Sequence, residues 1–247
     1  MINHDFYLAA KHWLSDIRNF SNLVIKLPLR EYQLQPADAI LDSILYARGL
    51  TFAVTMSRQA GKNELSAQLE AYLLNLYRRH GGGIVKGSPT FKPQTVNSIL
   101  RLSDRLNNPW NRNEYRRREG YIIQVANARA FFFSAAPASN VVGATASLLL
   151  EGDEVQDIEQ AKWDKDFTPM GASTNVTTVF YGTAWTSNTF LAQSIAFLKQ
   201  LQAKDGIKRV FQVTADQVRQ EVPAYGTFVD TQVARLGRNH LSFQKRK

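Results

Sequence analysis

Apolar positions along the chain alternate between short β-prone runs and longer segments with helical spacing. The β-prone runs cover residues 51–56, 84–88, 121–125, 130–134, 146–152, 176–182 and 209–213. The helical segments cover residues 6–20, 36–48, 62–80, 91–106, 189–203 and 222–236, the second of them starting at Pro36. Strands that alternate with helices predict an α/β fold with a mainly parallel sheet flanked by helices.

A polar loop joins the first strand to the helix that follows it. Backbone N–H groups at such a helix start are unpaired and, together with the helix dipole, favour a polyphosphate. The phosphate-loop pattern G-x-x-x-x-G-K-[ST] is kept at Gly61 and Lys62. Met56 replaces its first glycine, and Asn63 stands where Ser or Thr holds Mg²⁺. The residues predicted to bind nucleotide here are Ser57, Arg58, Gln59, Ala60, Gly61, Lys62, Asn63 and Glu64. The alternative is a polar strand-to-helix turn with an exposed lysine.

An acidic pair follows the apolar run 146–152. Asp153 is suited to hold the Mg²⁺ hydration shell, and Glu154 to orient and polarise the water that attacks a γ-phosphate. Further carboxylates nearby are Glu151, Asp157 and Glu159. The alternatives are therefore an exposed acidic turn or a carboxylate cluster that holds metal ions for nuclease chemistry. Because strand and acidic pair follow Lys62 in the order a nucleotide site requires, we predict that these groups converge on one magnesium-bound triphosphate.

Two more polar positions are candidates for the same site. A glutamine upstream of a phosphate loop can read adenine, since its amide both donates and accepts. Gln33 is the candidate and Gln35 the reserve; a surface glutamine is the alternative. Thr183 follows the strand 176–182, whose carboxyl end belongs at the ligand crevice of a parallel sheet. We predict that Thr183 senses the γ-phosphate, the alternative being an ordinary strand end.

Composition limits the classes of protein that remain. A chain of 247 residues with 44% hydrophobic content can form one sizeable core with a small appended subdomain. It contains no cysteine and four scattered histidines, which excludes disulfides and gives no zinc-ligand spacing. There is no run of 18 apolar residues, and the N-terminus is too polar for a signal peptide. We expect an intracellular protein without a membrane segment.

The charge suggests a polyanionic partner. The formal net charge is +9 and the pI is about 9.8. Lysines and arginines that neutralise phosphates gain free energy from counterion release. One basic cluster, predicted to lie in a loop, is Arg112, Arg116, Arg117 and Arg118, and a second is Arg235, Arg238, Lys245, Arg246 and Lys247. A solvated basic face is the alternative.

As a set, these motifs resemble the large terminase subunits of tailed bacteriophages, the motors that pump genomic DNA into capsids. The matching segments are residues 57–63 (their Walker A variant), 142–154 (the segment up to Walker B), 182–184 (coupling motif), 32–33 (adenine-binding motif) and 225–243 (the stretch leaving the ATPase domain). The resemblance implies a RecA/ASCE-like P-loop NTPase sheet with a small C-terminal lid subdomain. It also implies ATP and Mg²⁺ as cofactors.

The resemblance assigns a role to each site residue. Lys62 and Asn63 would serve triphosphate and Mg²⁺, Asp153 the metal, Glu154 the water, Thr183 the coupling of hydrolysis to movement, and Arg58 the γ-phosphate or its sensing. The implied partners are double-stranded DNA, the portal protein, the small terminase subunit and further copies of the chain in a ring, with no membrane. The implied location is the cytoplasm of the infected bacterial host, at the procapsid portal.

The resemblance also predicts the domain organisation. Residues 1–30 would form an N-terminal helical extension, residues 31–205 the ATPase core, and residues 206–247 a lid and linker. Relatives carry an RNase H-like nuclease domain after the linker. We expect that domain to be absent here, the chain to be an ATPase fragment of a longer protein, and no DNA cleavage.

Two departures from the terminase pattern concern metal and arginine. Asn63 offers Mg²⁺ only an amide oxygen. Some relatives have an arginine that acts across the subunit boundary at the position of Val142. A trans-acting arginine would come from elsewhere, with Arg58, Arg129 and the cluster around Arg116 as candidates. Other functions left open are a non-catalytic nucleotide- and nucleic-acid-binding module and another RecA-type DNA-dependent ATPase. The DNA-binding residues are not predicted.

Overall fold

The protein, seen in a computed structural model that describes residues 4–111, 114–141, 143–183 and 188–236, is built on one eight-stranded sheet. The strands are β1 (Thr51–Met56), β2 (Gly82–Ser88), β3 (Tyr115–Arg118), β4 (Ile122–Val125), β5 (Ala128–Ser134), β6 (Leu149–Gly152), β7 (Thr177–Gly182) and β8 (Val210–Val213). Their order is β3-β4-β5-β2-β6-β7-β1-β8. From β5 to β8 every neighbouring pair is parallel, and β3 and β4 add an antiparallel edge. The predicted mainly parallel α/β sheet is confirmed.

Helices cover both faces of this sheet. They are α1 (His4–Trp13), α2 (Ile17–Asn19), α3 (Glu31–Leu45), α4 (Lys62–Leu76), α5 (Val96–Leu106), α6 (Gln160–Lys162), α7 (Thr168–Gly171), α8 (Phe190–Asp205), α9 (Ala215–Glu221) and α10 (Pro223–Leu236). Short π-helical turns span Phe20–Ile25, Phe91–Thr95 and Trp163–Phe167, and a 3-10 turn spans Val155–Asp157. None of the helices within the described ranges is long and apolar enough to span a bilayer.

Consecutive strand residues alternate between two cores. Ile84, Leu149 and Val179 face a large core that includes α3, α4 and α5. Their neighbours Val85, Leu150 and Phe180 face a second core formed with the segment 155–171 and α8. This period-2 alternation explains why the central strands read as nearly continuous apolar runs.

Helix α3 begins at Glu31, so the prediction that it starts at Pro36 is wrong. The carboxylate of Glu221, at the end of α9, accepts hydrogen bonds from the backbone amides of Glu31 (3.0 Å) and Tyr32 (3.3 Å). These bonds satisfy amides that a helix start leaves unpaired and place an anion at the positive end of the helix. The anchored first turn outweighs the hydrogen bond that Pro36 cannot donate inside the helix.

The arginine-rich stretch forms strand β3, where the sequence predicted a loop. Arg116, Arg117 and Arg118 pair antiparallel with β4 and are exposed at the edge of the sheet. Tyr115 packs against the large core and anchors the strand. Arg112 lies outside the described residues, as do the C-terminal basic residues after Arg235. Charged residues at an exposed edge strand also discourage pairing with another sheet.

The remaining elements follow the predicted order, but the helices differ in number, and the short helices α6 and α7 were not predicted. Helix α9 is additional, and Thr214 and Gln217 form the reciprocal capping box at its start. At the N-terminus the predicted helix 6–20 is divided, because Asp16 caps a new turn by accepting from the amide of Asn19 (2.7 Å).

The proposed domain boundaries lie within a continuous fold. Ile17 and Phe20, from the proposed extension, are buried in the large core, and β8, beyond residue 205, pairs with β1. Residues 210–213 are thus part of the main sheet. The lid and linker at residues 206–247 remain a prediction.

Candidate nucleotide-binding site

A cleft of about 820 Å³ lies at the carboxyl ends of β1, β6 and β7. The sequence-predicted residues that line it are Ser57, Arg58, Gln59, Gly61, Lys62, Asn63, Glu64, Asp153, Glu154 and Thr183. Strand β7 separates β1, which leads into the polar loop, from β6, which leads into the acidic pair. The topology therefore brings together segments that are about ninety residues apart in sequence.

The loop between β1 and α4 turns through two left-handed residues. Gln59 has φ of 61° and Gly61 has φ of 91°. A Cβ atom at Gly61 would lie 2.6 Å from Nε2 of Gln33, so glycine is required by both its backbone angle and the close approach. The carbonyl of Gly61 accepts from the amides of Glu64 (3.1 Å) and Leu65 (3.0 Å), which starts helix α4 immediately after the loop.

Helix α3 holds the loop from behind. The hydroxyl of Tyr32 donates to the carbonyl of Ala60, and Nε2 of Gln33 donates to the carbonyl of Gly61, both at 2.9 Å. Burial raises the pKa of Tyr32, an effect that Arg30 opposes. The phenol therefore remains a donor at neutral pH. These bonds hold the two loop carbonyls against helix α3.

Gln33 is engaged at both ends of its amide. Its Oε1 accepts from the backbone amide of Arg30 (2.9 Å), and its side chain is buried. Gln33 supports the loop in this structure, and adenine recognition remains a prediction. Gln35 is exposed and lies in a separate groove of about 230 Å³ with Lys208.

Lys62 meets both carboxylates of the acidic pair. Its Nζ lies 3.4 Å from Oδ1 of Asp153 and contacts Oε1 of Glu154. Lys62 and Asp153 are buried, while the Glu154 side chain is 26% exposed and so remains accessible from the cleft. The predicted convergence of lysine and acidic pair is present in the geometry. The catalytic and metal-binding roles of these residues remain predictions.

Glu154 is oriented by its backbone and by a glutamine that the sequence did not single out. Its φ of 48° and ψ of 48° place it in the left-handed region, which is uncommon for a residue with a side chain. Gln156 donates from Nε2 to Oε2 of Glu154 (2.6 Å) and accepts at Oε1 from the amide of Thr183 (3.2 Å). Gln156 thus connects the acidic pair to Thr183. The only signal in the sequence was its position, two residues after Glu154.

Helix α5 adds polar residues that sequence reasoning missed. Gln94, Asn97 and Arg101, from α5 and the turn before it, line the cleft. Arg101 lies 3.4 Å from Oε2 of Glu64. Their sequence shows only the polar face of an amphipathic helix, and the strand order is what brings that face to the cleft.

The candidate trans-acting arginines lie in two different places. Arg58 lines the cleft, whereas Arg116 and Arg129 are exposed on β3 and β5, toward the other edge of the sheet. Val142 and the end of the predicted coupling motif, residue 184, lie outside the described residues.

The residues present fit a magnesium ion shared with a nucleotide. Among the described side chains, no group of three or more His, Asp or Glu residues is arranged as a protein-only metal site. Mg²⁺ is usually held by one or two carboxylates together with phosphate oxygens and waters. Asp153, with Asn63 also lining the cleft, provides such a partial ligand set.

Comparison with known proteins identifies the fold. No protein-family model and no curated protein matches the sequence. Solved structures do match. The ATPase domain of the Thermus phage P74-26 large terminase aligns with a TM-score of 0.63 and 16% identity, covering 89% of this chain and 92% of that domain. The chain has the fold of a large terminase ATPase domain.

Two other terminases extend the comparison. The HK97 bacteriophage large terminase aligns with a TM-score of 0.60 and 16% identity over 83% of this chain. A large terminase from a thermophilic bacteriophage, in complex with ADP, aligns with a TM-score of 0.62 and 13% identity over 87% of this chain. The chain spans 43% of the first and 52% of the second. The chain thus spans about half the length of each of these two terminases.

Proposed function

We propose that the protein hydrolyses ATP to move viral double-stranded DNA into a capsid, as the ATPase part of a large terminase. The observation that carries the proposal is the position of Lys62 at the start of α4, facing Asp153 and Glu154 across the cleft. The terminase fold and the nucleotide complexes of its structural neighbours support this reading.

The proposed mechanism assigns a task to each group. The loop amides and Lys62 bind the β- and γ-phosphates, and Arg58 senses or stabilises the γ-phosphate. Asp153 and Asn63 would hold Mg²⁺, and the ion would neutralise charge on the phosphate oxygens. Glu154 orients the attacking water and accepts its proton.

Nucleotide entry requires Lys62 to change partners. Lys62 pairs with both acidic side chains in this structure. In the proposed mechanism it transfers to phosphate oxygens, which frees Asp153 for the metal and Glu154 for water. Gln156 then relays the position of Glu154 to Thr183, the residue proposed to couple hydrolysis to movement.

The proposed polymer substrate and assembly rest on charge and on the fold. The net charge of +9 and the exposed arginines of β3 favour a polyanion such as duplex DNA. A ring of subunits that engages a portal protein and a small terminase subunit at the procapsid, in the host cytoplasm, follows from the terminase reading.

Phosphate release against protein concentration, with and without duplex DNA, tests the proposal. We expect a rate per subunit that rises with concentration, because a neighbour that donates an arginine can raise the rate by about 10³ to 10⁵. ATP binding without phosphate release, at high protein concentration and with DNA present, would instead support the non-catalytic module. Met56 and Asn63, the departures from the loop pattern, are the observations that favour that second candidate.

A further inference from the structure

A second charged cluster lies behind the cleft, between α4 and the sheet. Its members are Ser66 and Glu70 on α4, Lys86 on β2, Glu151 on β6 and Tyr181 on β7. Each is at most 3% exposed. Helix α4 and three neighbouring strands therefore meet at a group of polar side chains that solvent does not reach.

The hydroxyl of Ser66 is the centre of this cluster. It accepts a hydrogen bond from Nζ of Lys86 (2.7 Å) and donates to Oε1 of Glu151 (2.8 Å), with Oε1 of Glu70 at 3.2 Å. Lys86 also pairs with Glu70 at 2.9 Å. The α-carbons of Lys86 and Glu151 are register partners on adjacent strands. One hydroxyl thus connects the helix to two strands.

Stability alone does not account for such a cluster. Removing two carboxylates and an ammonium from water is costly, and well-packed apolar side chains often stabilise a fold as much or more. Glu70, Glu151 and Tyr181 are all fully buried. Burial, followed by the neighbouring carboxylates, raises the pKa of Tyr181. The phenol is therefore held neutral.

The cluster lies directly beneath the residues that form the cleft. Ser66 is one helical turn after Lys62, since residues four apart share a helix face. Glu151 precedes Asp153 by two residues, and Tyr181 precedes Thr183 by two. A shift of α4 along β6 would break the Ser66 to Glu151 bond and move Lys62 relative to Asp153.

We propose that Ser66 and Glu151 are positioning residues that fix the register of the phosphate-loop helix against the strand bearing the acidic pair. The inference rests on the proposed ATPase function. Nucleotide contacts come from α4 and its loop, whereas the hydrolytic groups come from β6. Loss of the hydrogen bond between Ser66 and Glu151 therefore slows hydrolysis, while ATP binding stays nearly unchanged.

Paired substitutions test this inference in the full chain, with duplex DNA and at high protein concentration. We expect Ser66→Ala to lower kcat by about 10- to 10²-fold, because an error of about 1 Å in position can cost 10²-fold. The dissociation constant of ATP should change by less than about twofold, as for an interaction that acts mainly in the transition state. Glu151→Leu should lose at least as much turnover as Ser66→Ala. Glu151→Gln keeps an oxygen that can accept a hydrogen bond from the Ser66 hydroxyl, so it should retain most of the turnover.

Ser43→Ala is the matched control. Ser43 is also fully buried, and its hydroxyl lies 2.7 Å from Oγ1 of Thr177, at the end of β7 away from the cleft. It should lose stability without the selective loss of kcat. Unchanged kcat in Ser66→Ala, an equal loss in Ser43→Ala, or ATP affinity falling in step with kcat would overturn the inference.

The other outcomes are also decisive. If Glu151→Leu fails to fold, Ser66→Ala and Glu151→Gln still test the inference, because each changes the side-chain volume only a little. If the unmodified protein releases no phosphate under any of these conditions, the proposed function fails and the inference fails with it. If the unmodified protein does hydrolyse ATP and Ser66→Ala has the same kcat, the inference fails and the proposed function stands.

Discussion

Two clusters of lysine and carboxyl groups among the described residues differ in access to solvent. Lys62 faces Asp153 and Glu154 at an open cleft, where the Glu154 side chain is 26% exposed. Lys86 lies with Glu70 and Glu151 in the interior, where its side chain is 4% exposed and that of Glu70 is 0% exposed. Similar residues can therefore serve different purposes. Only the open group can exchange its internal ion pair for a ligand.

The largest expected effect is on turnover at the open group. Glu154→Gln should lower kcat by about 10²- to 10⁴-fold, the usual contribution of a general base, while ATP still binds. Lys62→Ala should lose turnover and also weaken ATP binding, because it removes a phosphate contact. Phosphate release and equilibrium binding measure the two effects. Lys204→Ala, at an exposed lysine of α8, is the control, and turnover that matches this control after either site change would refute the assigned roles.

The interior group, Lys86 with Glu70 and Glu151, is the sealed group. It should contribute more to the free energy of unfolding than the open group at the cleft. Lys86→Met should lower the free energy of unfolding by about 3–5 kcal/mol, because it leaves the carboxylate of Glu70 buried without its cation. Lys62→Met should cost less, since Glu154 can reach water and Oδ1 of Asp153 still accepts a hydrogen bond from the amide of Glu154. Denaturant unfolding of the two variants measures the difference. Equal losses would show that solvent access does not distinguish the groups.

Ligand-linked stability should depend on the open group. At an ATP concentration of 100 times its dissociation constant, in the presence of Mg²⁺, binding should stabilise the fold by about 2.7 kcal/mol. Glu154→Gln should keep this gain and Lys62→Ala should lose most of it at the same concentration. Denaturant unfolding with and without nucleotide provides the measurement. A full gain in Lys62→Ala would remove that lysine from the phosphate site.

The smallest effect concerns a buried group on α4 that belongs to neither cluster. Burial raises the pKa of Tyr72 to about 12, and its hydroxyl donates to the carbonyl of Leu14 (3.0 Å). The folded state therefore favours the neutral phenol. That contribution is complete below pH 10 and is lost as pH rises through 12, with a loss of about 1.4 kcal/mol at pH 11.

Unfolding measured between pH 9 and pH 11 tests this contribution. Tyr72→Phe should flatten the alkaline loss, whereas Tyr46→Phe, at a tyrosine that is 70% exposed, should leave it unchanged. An identical pH dependence in all three proteins would contradict the prediction.

The open site was predictable because each of its parts is local in sequence. Gly61 and Lys62 are adjacent at a strand-to-helix turn, and Asp153 and Glu154 directly follow an apolar run. Parallel topology then brings the carboxyl ends of the strands together. From these residues alone, the fold class and the meeting of lysine with the acidic pair could be stated.

The sealed cluster could not be predicted in the same way. Lys86 and Glu151 interrupt apolar runs as single charged residues, and the sequence does not show that they are register partners. The start of α3 depends on Glu221, 190 residues from Glu31. The arginines of β3 read as a loop because their strand is held by pairing with β4 rather than by an apolar pattern. In each case the deciding contact is long-range.

Helix α3 connects the end of α9 to the candidate site. The carboxylate of Glu221 accepts a hydrogen bond from the backbone amide of Glu31 in its first turn. Gln33, two residues after Glu31, donates a hydrogen bond to the carbonyl of Gly61. Helix α3 thus connects the end of α9 to the loop between β1 and α4 without crossing the sheet. A displacement of α9 would therefore reach that loop through a single helix.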